Sequence, residues 1–334
     1  MSYQIWNRRY TGSKLKLSDW ISDLIFSNCR GNSFCDLFAG TAVISKQALA
    51  YVDEIYINDF LYSNEVIYKA FFEQEAFDSR KLEKIKADFA KIEAGTLAGN
   101  YVSEQFGGKF FSENDAKKIG YIREYIETAD LNDKERNILL ASLLYSLDKA
   151  ANTVGHYDAY IKGKAIQDEF LFDLIAPYEY KNKRIHISRE DANQFAKKLT
   201  CDIVYIDPPY NSRQYSRFYH ILENIVSWKK PELFGEARKP LPENMSEYCR
   251  KTATEVFEDL ILSLKCRYIV ISYNNTYNSK SSSSKNKITL EDIEKYLAQR
   301  GTVQMFEKPH PYFNAGKTSL ENHKELVYIV EAGE

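Results

Sequence analysis

The sequence predicts an α/β fold: a Rossmann-like, mostly parallel sheet with an antiparallel last strand, interrupted by an inserted helical subdomain. Three observations predict this fold. A strand–helix–strand pattern occupies residues 33–58, helical patterns alone follow for more than a hundred residues, and apolar strand patterns then resume at residue 184. Alternating strands and helices favour a parallel sheet, whose central strands are apolar on both faces.

The first strand–helix–strand unit contains one glycine turn. A strand over residues 33–38 runs into Ala39-Gly40-Thr41, a helix is expected over residues 42–51, and a second strand over residues 54–58 ends at Asp59. Later strands are predicted over residues 184–188, 202–206 and 267–272. Residues 302–307 and 325–330 are expected to close the sheet as an antiparallel hairpin.

The middle of the chain reads as an insertion of helices. Helical patterns cover residues 79–94, 112–126 and 132–150, and the last begins with Asn132 as N-cap and Glu135 three residues later. Its leucines recur at helical spacing and are expected in the core: Leu139, Leu140, Leu143, Leu144 and Leu147. We therefore expect a main domain of residues 1–60 and 183–334, with residues 61–182 inserted as a helical subdomain.

Composition narrows the class of protein. The net charge is −2, so a nucleic-acid partner would need a local basic face. The five cysteines show no CxxC spacing and are expected to be free thiols of a cytoplasmic protein, without a metal site. No apolar run reaches the roughly 20 residues of a membrane helix, and the first residues do not resemble a signal peptide.

The strongest chemical motif is Asp207-Pro208-Pro209-Tyr210, directly after the predicted strand 202–206. In an open α/β sheet, ligands bind outside the carboxyl ends of the strands. The carboxylate of Asp207 and the carbonyl of Pro208 suit the two N–H groups of an exocyclic amine such as that of adenine. The prolines hold both acceptors rigidly, and Tyr210 offers a face for a base. The alternative is an ordinary strand stop with a capping aspartate.

The glycine turn suggests a ligand that lacks phosphates. It has one glycine, whereas a dinucleotide site needs G-x-G-x-x-G, and S-adenosylmethionine requires only a close approach of the turn. Asp36 would meet the donor's ammonium group, Asp59 its ribose and Asp191 its adenine amine. Asp191 suits a helix N-cap equally well. The complete predicted donor site is Tyr10, Lys14, Asp36, Phe38, Gly40, Thr41, Asp59, Asp191 and Asp207.

Together these motifs resemble the DNA adenine-N6 methyltransferases. Tyr10…Lys14, the Asp36-to-Thr41 turn, Asp59 and the Asp207 tetrapeptide stand in the order of the alpha group, and the stretches Asp148–Asp158 and Asn211–His220 are similar to modification methylases of restriction systems, FokI-type among them. The resemblance implies the methyltransferase fold and S-adenosylmethionine as cofactor. It also implies that residues 61–182 and the region 210–251 recognise the target. Ala42 departs from the family's usual second glycine.

Basic and aromatic residues around the tetrapeptide predict a DNA interface. Arginine and lysine suit phosphates, and aromatic rings suit stacking or wedging. The predicted DNA-binding residues are Asn152, His156, Arg213, Tyr215, Arg217, Lys229 and Lys230. The alternative is a solvated surface above an aromatic core.

The predicted function is methylation of adenine N6 in double-stranded DNA at a specific site, within a restriction-modification system that includes a cognate endonuclease. Two alternatives stay open at this point. One is the same chemistry on the cytosine N4 amine or on an RNA adenine. The other is a nucleic-acid-binding protein that keeps the fold without catalysis.

Overall fold

A computed structural model describes residues 3–163, 165–275, 286–310 and 323–333. Two compact units divide the chain. The helical unit comprises Met1–Gly12, Leu61–Lys181 and Ser216–Glu243, and the sheet unit comprises Ser13–Phe60, Asn182–Tyr215 and Asn244–Glu334. The predicted insertion, residues 61–182, thus groups with the first twelve residues and with a segment beyond the tetrapeptide.

The sheet unit contains one seven-stranded sheet in the order β3-β2-β1-β4-β5-β7-β6. Neighbours from β3 to β5 pair in parallel, whereas β7 pairs antiparallel with both β5 and β6. This confirms the predicted fold class and the closing hairpin. The strands are β1 (Ser33–Asp36), β2 (Glu54–Asn58), β3 (Arg184–Ser188), β4 (Thr200–Ile206), β5 (Lys265–Asn274), β6 (Val303–Pro309) and β7 (Lys324–Glu331).

Helices accompany this sheet and bury its central strands. They are α1 (Ser18–Asn28), α2 (Val43–Ala48), α8 (Ala192–Lys198), α11 (Ala253–Ser263) and α12 (Leu290–Leu297), and the short α9 (Tyr215–Phe218) begins where the chain leaves the sheet unit. Helix α2 is shorter than the predicted 42–51, because the chain after Ala48 turns down toward β2. The core includes Val204, Ile269, Ile271 and Phe257, all almost fully buried.

The helical unit is organised around α7. Its helices are α3 (Tyr62–Phe72), α4 (Ser79–Ala90), α5 (Tyr101–Phe106), α6 (Glu113–Thr128), α7 (Asp133–Ala150) and α10 (His220–Ser227). Asn132 and Glu135 cap α7 reciprocally, as predicted, and the five leucines of its apolar face are buried.

Helix α3 was not predicted, because both of its ends are capped by distant residues. At its start, Glu223 accepts the backbone N–H groups of Tyr62 (3.0 Å) and Ser63 (2.8 Å). At its end, the buried ammonium of Lys134 donates to the carbonyls of Lys69, Ala70 and Glu73. Unpaired helix ends need such partners, and local sequence gives no sign of these.

Two other findings bear on the site. All five cysteines are free thiols, and four of them are buried. Within the described ranges, no group of three or more His, Cys, Asp or Glu side chains is placed to hold a metal ion, and no helix is long and apolar enough to cross a membrane.

Candidate active site

The tetrapeptide Asp207-Pro208-Pro209-Tyr210 follows the carboxyl end of β4, in the middle of the sheet. Lys14, in the turn before α1, and Glu325, on β7, meet it there. We call Lys14, Asp207, Tyr210 and Glu325 the lysine–carboxylate cluster. Because β4 lies between β1 and β5, the cluster adjoins the glycine turn that leaves β1.

One ammonium group is shared by two carboxyl groups in this cluster. Lys14 Nζ lies 3.1 Å from Asp207 Oδ1 and 2.9 Å from Glu325 Oε1. It also donates to the hydroxyl of Tyr210, which donates in turn to Asp207 Oδ1. Burial makes these contacts strong, because little water competes for the charges.

Burial also changes the protonation equilibria. It raises the pKa of Asp207 to about 6; Lys14 opposes this rise and Glu325 adds to it. Burial by itself would lower the pKa of Lys14, but attraction to Asp207 and Glu325 outweighs that effect and raises it. At pH 8 the cluster therefore holds an ionised Asp207 beside a charged Lys14.

Two hydrogen-bond acceptors of the tetrapeptide have no donor in the part of the chain that the structure describes. Both protein contacts of the Asp207 carboxylate are made through Oδ1, and neither Oδ2 nor the Pro208 carbonyl accepts a hydrogen bond from any described residue. Proline has no N–H that would compete for them. The site thus presents two adjacent acceptors, the number that an exocyclic amine requires.

The ring of Tyr210 is in contact with other side chains of the sheet unit, so it is not simply an open face for a base. Its ring packs edge-on against Tyr273, with centroids 4.8 Å apart, and Lys14 Nζ lies 4.7 Å from its centroid. Stacking of a base on Tyr210 stays a prediction.

The glycine turn brings together several predicted donor residues. Gly40 adopts φ 53° and donates its N–H to Asp59 Oδ2 at 3.0 Å. Ala42 adopts φ 54°, the left-handed region that favours glycine.

Asp36 is the buried carboxylate of this turn. Ser45 Oγ donates to its Oδ2 at 2.6 Å, whereas Oδ1 is buried without a partner among the described residues. Burial raises the pKa of Asp36 to about 7, although the Ser45 hydrogen bond lowers it. A carboxylate that lacks a counter-charge fits a ligand with an ammonium group, and the amino-acid end of S-adenosylmethionine has one.

The remaining donor candidates are more dispersed. Thr41 is buried, with its hydroxyl 3.4 Å from that of Ser13, and Phe38 packs edge-on against Tyr248. Asp191 caps α8 by accepting the N–H groups of residues 193 and 194, which is the alternative considered above. Tyr10 belongs to the helical unit, where it stacks on Tyr219 at 5.0 Å.

Two site residues were missed from sequence. Asn58, at the end of β2, donates to the carbonyls of Leu37 and Glu190 and accepts from Ser188, so it connects the loops that leave β1 and β3. An asparagine before the predicted Asp59 was a weak signal for it. No sequence signal marked Glu325, because a strand pattern does not distinguish a glutamate that points into the protein from one that points to solvent.

All five predicted DNA-binding side chains of the helical unit make protein contacts. Asn152 donates to the carbonyls of residues 109 and 161, and His156 stacks on a neighbouring ring. Arg217 donates to the carbonyl of residue 240. Lys229 pairs with Glu243 at 3.2 Å.

The remaining DNA-binding candidates are Lys230 of the helical unit and two residues of the sheet unit. Lys230 pairs with Glu124 in the helical unit. Arg213 and Tyr215 belong to the sheet unit, where the Arg213 N–H donates to Asn211 and Tyr215 begins α9. DNA contact stays a prediction for all seven residues.

The sheet is mostly parallel, two adjacent hydrogen-bond acceptors lie at its carboxyl edge, and the neighbouring glycine turn suits a ligand without phosphates. Together these features define a methyltransferase that acts on an exocyclic amine. Comparison with known families specifies the class further: residues 10–285 match the D12 class N6 adenine-specific DNA methyltransferases. The chain belongs to this family. It is therefore an S-adenosylmethionine-dependent DNA adenine methyltransferase, which confirms the predicted activity over the cytosine, RNA and non-catalytic alternatives.

Curated relatives are similar in sequence along nearly the whole chain. The Type II methyltransferase M.NlaIII of Neisseria lactamica is 31% identical over 96% of this chain and 98% of its own length. M.CviAII of Paramecium bursaria Chlorella virus 1 gives the same three values. M.FokI of Planomicrobium okeanokoites is 30% identical, and the chain spans 52% of that longer protein.

Proposed function

We propose that this enzyme methylates adenine N6 within one short duplex sequence, as the modification partner of a restriction endonuclease, with Asp207 and Pro208 orienting the target amine. The two unpaired acceptors at the end of β4 carry the catalytic part of this proposal. The Type II relatives, similar over almost their full length, support the restriction-modification part.

The tetrapeptide acts by orientation. A target adenine is flipped from the duplex at a cost of a few kcal/mol, and its amine donates one N–H to Asp207 Oδ2 and the other to the Pro208 carbonyl. These hydrogen bonds draw the nitrogen lone pair out of the ring system and aim it at the methyl donor. S-adenosylmethionine would supply an activated methyl group there: the amine nitrogen would bond to the methyl carbon while the sulfur kept the electron pair of the bond that breaks. Asp207 or solvent then takes the proton that the methylated amine releases.

Residues of the glycine turn would hold the donor. Asp36 provides the buried carboxylate for its ammonium group, Gly40 lets the turn approach it closely, and Phe38 and Thr41 flank that glycine. Asp59 stands at the end of β2, the position that suits ribose hydroxyls.

A direct test is methylation in cells that lack adenine methylation. Expression of the enzyme is expected to place N6-methyladenine at one short motif, located by sequencing that detects modified bases. Asp207→Ala is expected to abolish the modification while calorimetry still detects donor binding. Normal methylation by Asp207→Ala would refute the mechanism, and methylation without sequence preference would refute the restriction-modification assignment.

The helical unit is proposed to read the DNA, together with Arg213 and Tyr215. A phosphate contact contributes about 0.9 to the slope of log affinity against log salt. Lys229→Gln with Lys230→Gln is therefore expected to reduce that slope by about 2 if both lysines contact phosphates. Lys91 is a suitable control, since it is another exposed lysine of this unit paired with a carboxylate, Asp88 at 2.9 Å. An unchanged slope in the double variant would exclude these two contacts.

A further inference from the structure

Glu325 is a buried carboxylate that the mechanism above does not use. It lies on β7, in register with Asn274 of β5 and Lys308 of β6, so that neighbouring strands on both sides fix its backbone. Ser272 Oγ donates to Glu325 Oε1 at 2.8 Å. A carboxylate in such a position is costly unless its partners are held with it.

The other two neighbours of Glu325 also contact Asp207. Glu325 Oε1 lies 2.9 Å from Lys14 Nζ and 3.4 Å from the Tyr210 hydroxyl. Lys14 and Tyr210 both bind Oδ1 of Asp207, and neither binds Oδ2. Glu325 thus holds Lys14, one of the two donors that occupy Oδ1 of the catalytic carboxylate, and Lys14 in turn donates to the hydroxyl of the other, Tyr210.

We propose that Glu325 is a positioning residue: by sharing Lys14 with Asp207, it keeps Lys14, and through it the Tyr210 hydroxyl, on Oδ1 and leaves Oδ2 directed at the target amine. This inference rests on the function proposed above for Asp207. Without the charge of Glu325, Lys14 has one carboxylate instead of two. Lys14 would then bind Asp207 more closely and compete with the amine for its lone pairs.

The charge of Glu325 also affects how easily Asp207 accepts a proton. Asp207 has as charged or titratable neighbours Lys14, Tyr210, Glu325, Tyr205 and Asp36. His310, after β6, lies within electrostatic reach of Glu325 and Lys14. Among these groups Glu325 raises the pKa of Asp207 and Lys14 lowers it, so loss of the Glu325 charge lowers that pKa.

The test is Glu325→Gln, which keeps the size and the hydrogen-bonding oxygen but removes the charge. The single-turnover rate of methyl transfer at pH 8 is expected to fall about tenfold, with the KM values for donor and DNA within about twofold of wild type. The acid limb of the pH–rate profile is expected to move down by about one pH unit. A merely structural residue would not move that limb.

Glu331→Gln is the matched control. Glu331 lies on the same strand and is also ion-paired, with Arg267 at 2.9 Å, but it contacts none of the cluster. Ser272→Ala provides a second variant should Glu325→Gln fail to fold. It removes the hydroxyl that donates to Glu325 and is expected to lower the rate by a smaller factor.

The outcomes separate the two proposals. If Asp207→Ala is inactive but Glu325→Gln matches Glu331→Gln in rate and acid limb, the positioning proposal is overturned and the mechanism stands. If Asp207→Ala remains active, the mechanism fails whatever Glu325→Gln does. A tenfold loss with a lowered acid limb in Glu325→Gln supports the positioning proposal.

Discussion

The charge of Asp36 should lower the stability of the folded protein at pH 8, so Asp36→Asn should make the protein more stable at that pH. Its side chain is 1% exposed, one oxygen accepts from Ser45, and the other has no partner among the described residues. Burial raises its pKa from 3.8 to about 7. Between these two pH values the folded protein therefore binds more protons at this site than the unfolded chain.

The sign and size of the effect follow from this difference. Stability falls as pH rises wherever the folded state binds more protons, so the penalty is absent below pH 4 and complete above pH 7. A rise of that size corresponds to about 4 kcal/mol. Asn avoids the ionisation but buries an amide donor without a partner, which costs about 1–3 kcal/mol. Asp36→Asn is therefore expected to gain about 2 kcal/mol at pH 8.

Urea denaturation of the wild type and Asp36→Asn at pH 8 and pH 5 measures this difference. The variant should have the higher midpoint at pH 8 and lose that advantage at pH 5, where Asp36 of the wild type is mostly neutral. Calorimetry should show weaker donor binding, because an amide cannot pair with an ammonium group. A lower midpoint for the variant at pH 8, or a difference independent of pH, would refute the reasoning.

Asp202→Asn is the matched control with the opposite sign. Asp202 Oδ2 accepts hydrogen bonds from the Asn32 and Ser33 N–H groups and from the Ser33 hydroxyl, all within 2.9 Å. Burial would raise the pKa of Asp202, but these hydrogen bonds outweigh burial and lower it. Its contribution to stability is present above pH 3.8 and is lost as pH falls through the lowered pKa. Asp202→Asn should therefore destabilise the protein at pH 8.

Three further predictions concern a turn, a cap and the reaction. In urea denaturation, the free energy of unfolding of Ala42→Gly should stay within about 1 kcal/mol of wild type, since glycine relieves the left-handed strain of about 1–2 kcal/mol. Ala48→Gly, which is equally buried but helical, should lose about 2 kcal/mol, and equal losses in the two variants would contradict this reasoning. Asn132→Ala should lose about 1 kcal/mol through its missing helix cap, and an unchanged midpoint would show the cap to be unimportant. The wild-type single-turnover rate should decrease below about pH 6, because protonated Asp207 cannot accept a hydrogen bond from the amine. A rate that stays unchanged down to pH 5 would exclude Asp207 as the acceptor.

Local patterns were sufficient for much of the fold. β2 and β3 occupy the predicted residues, and α7 begins at its predicted cap, because apolar periodicity and a reciprocal N-cap act within a few residues. Helix α3 escaped prediction because Glu223 and Lys134 cap it from other parts of the chain.

The candidate site also contains residues that the sequence predicts and residues that it does not. Asp207 and Asp36 were predictable, because each is an acidic residue at the carboxyl end of a buried strand, where parallel sheets bind ligands. Glu325 was not, since it joins Tyr210 across 115 residues of sequence. Which oxygen of Asp207 remains unpaired is likewise a matter of packing.

The sequence by itself determined the strands, the main helices, the order of the motifs and the chemistry of the tetrapeptide, since these depend on neighbouring residues and on the identity of side chains. Tertiary structure alone decided that Lys14 stands between two carboxylates, that one oxygen of Asp36 has no partner among the residues described, and that α3 is capped at both ends. Those features arise when distant segments pack and exclude water, because the ion pairs and hydrogen bonds of a side chain then depend on which distant residues lie beside it.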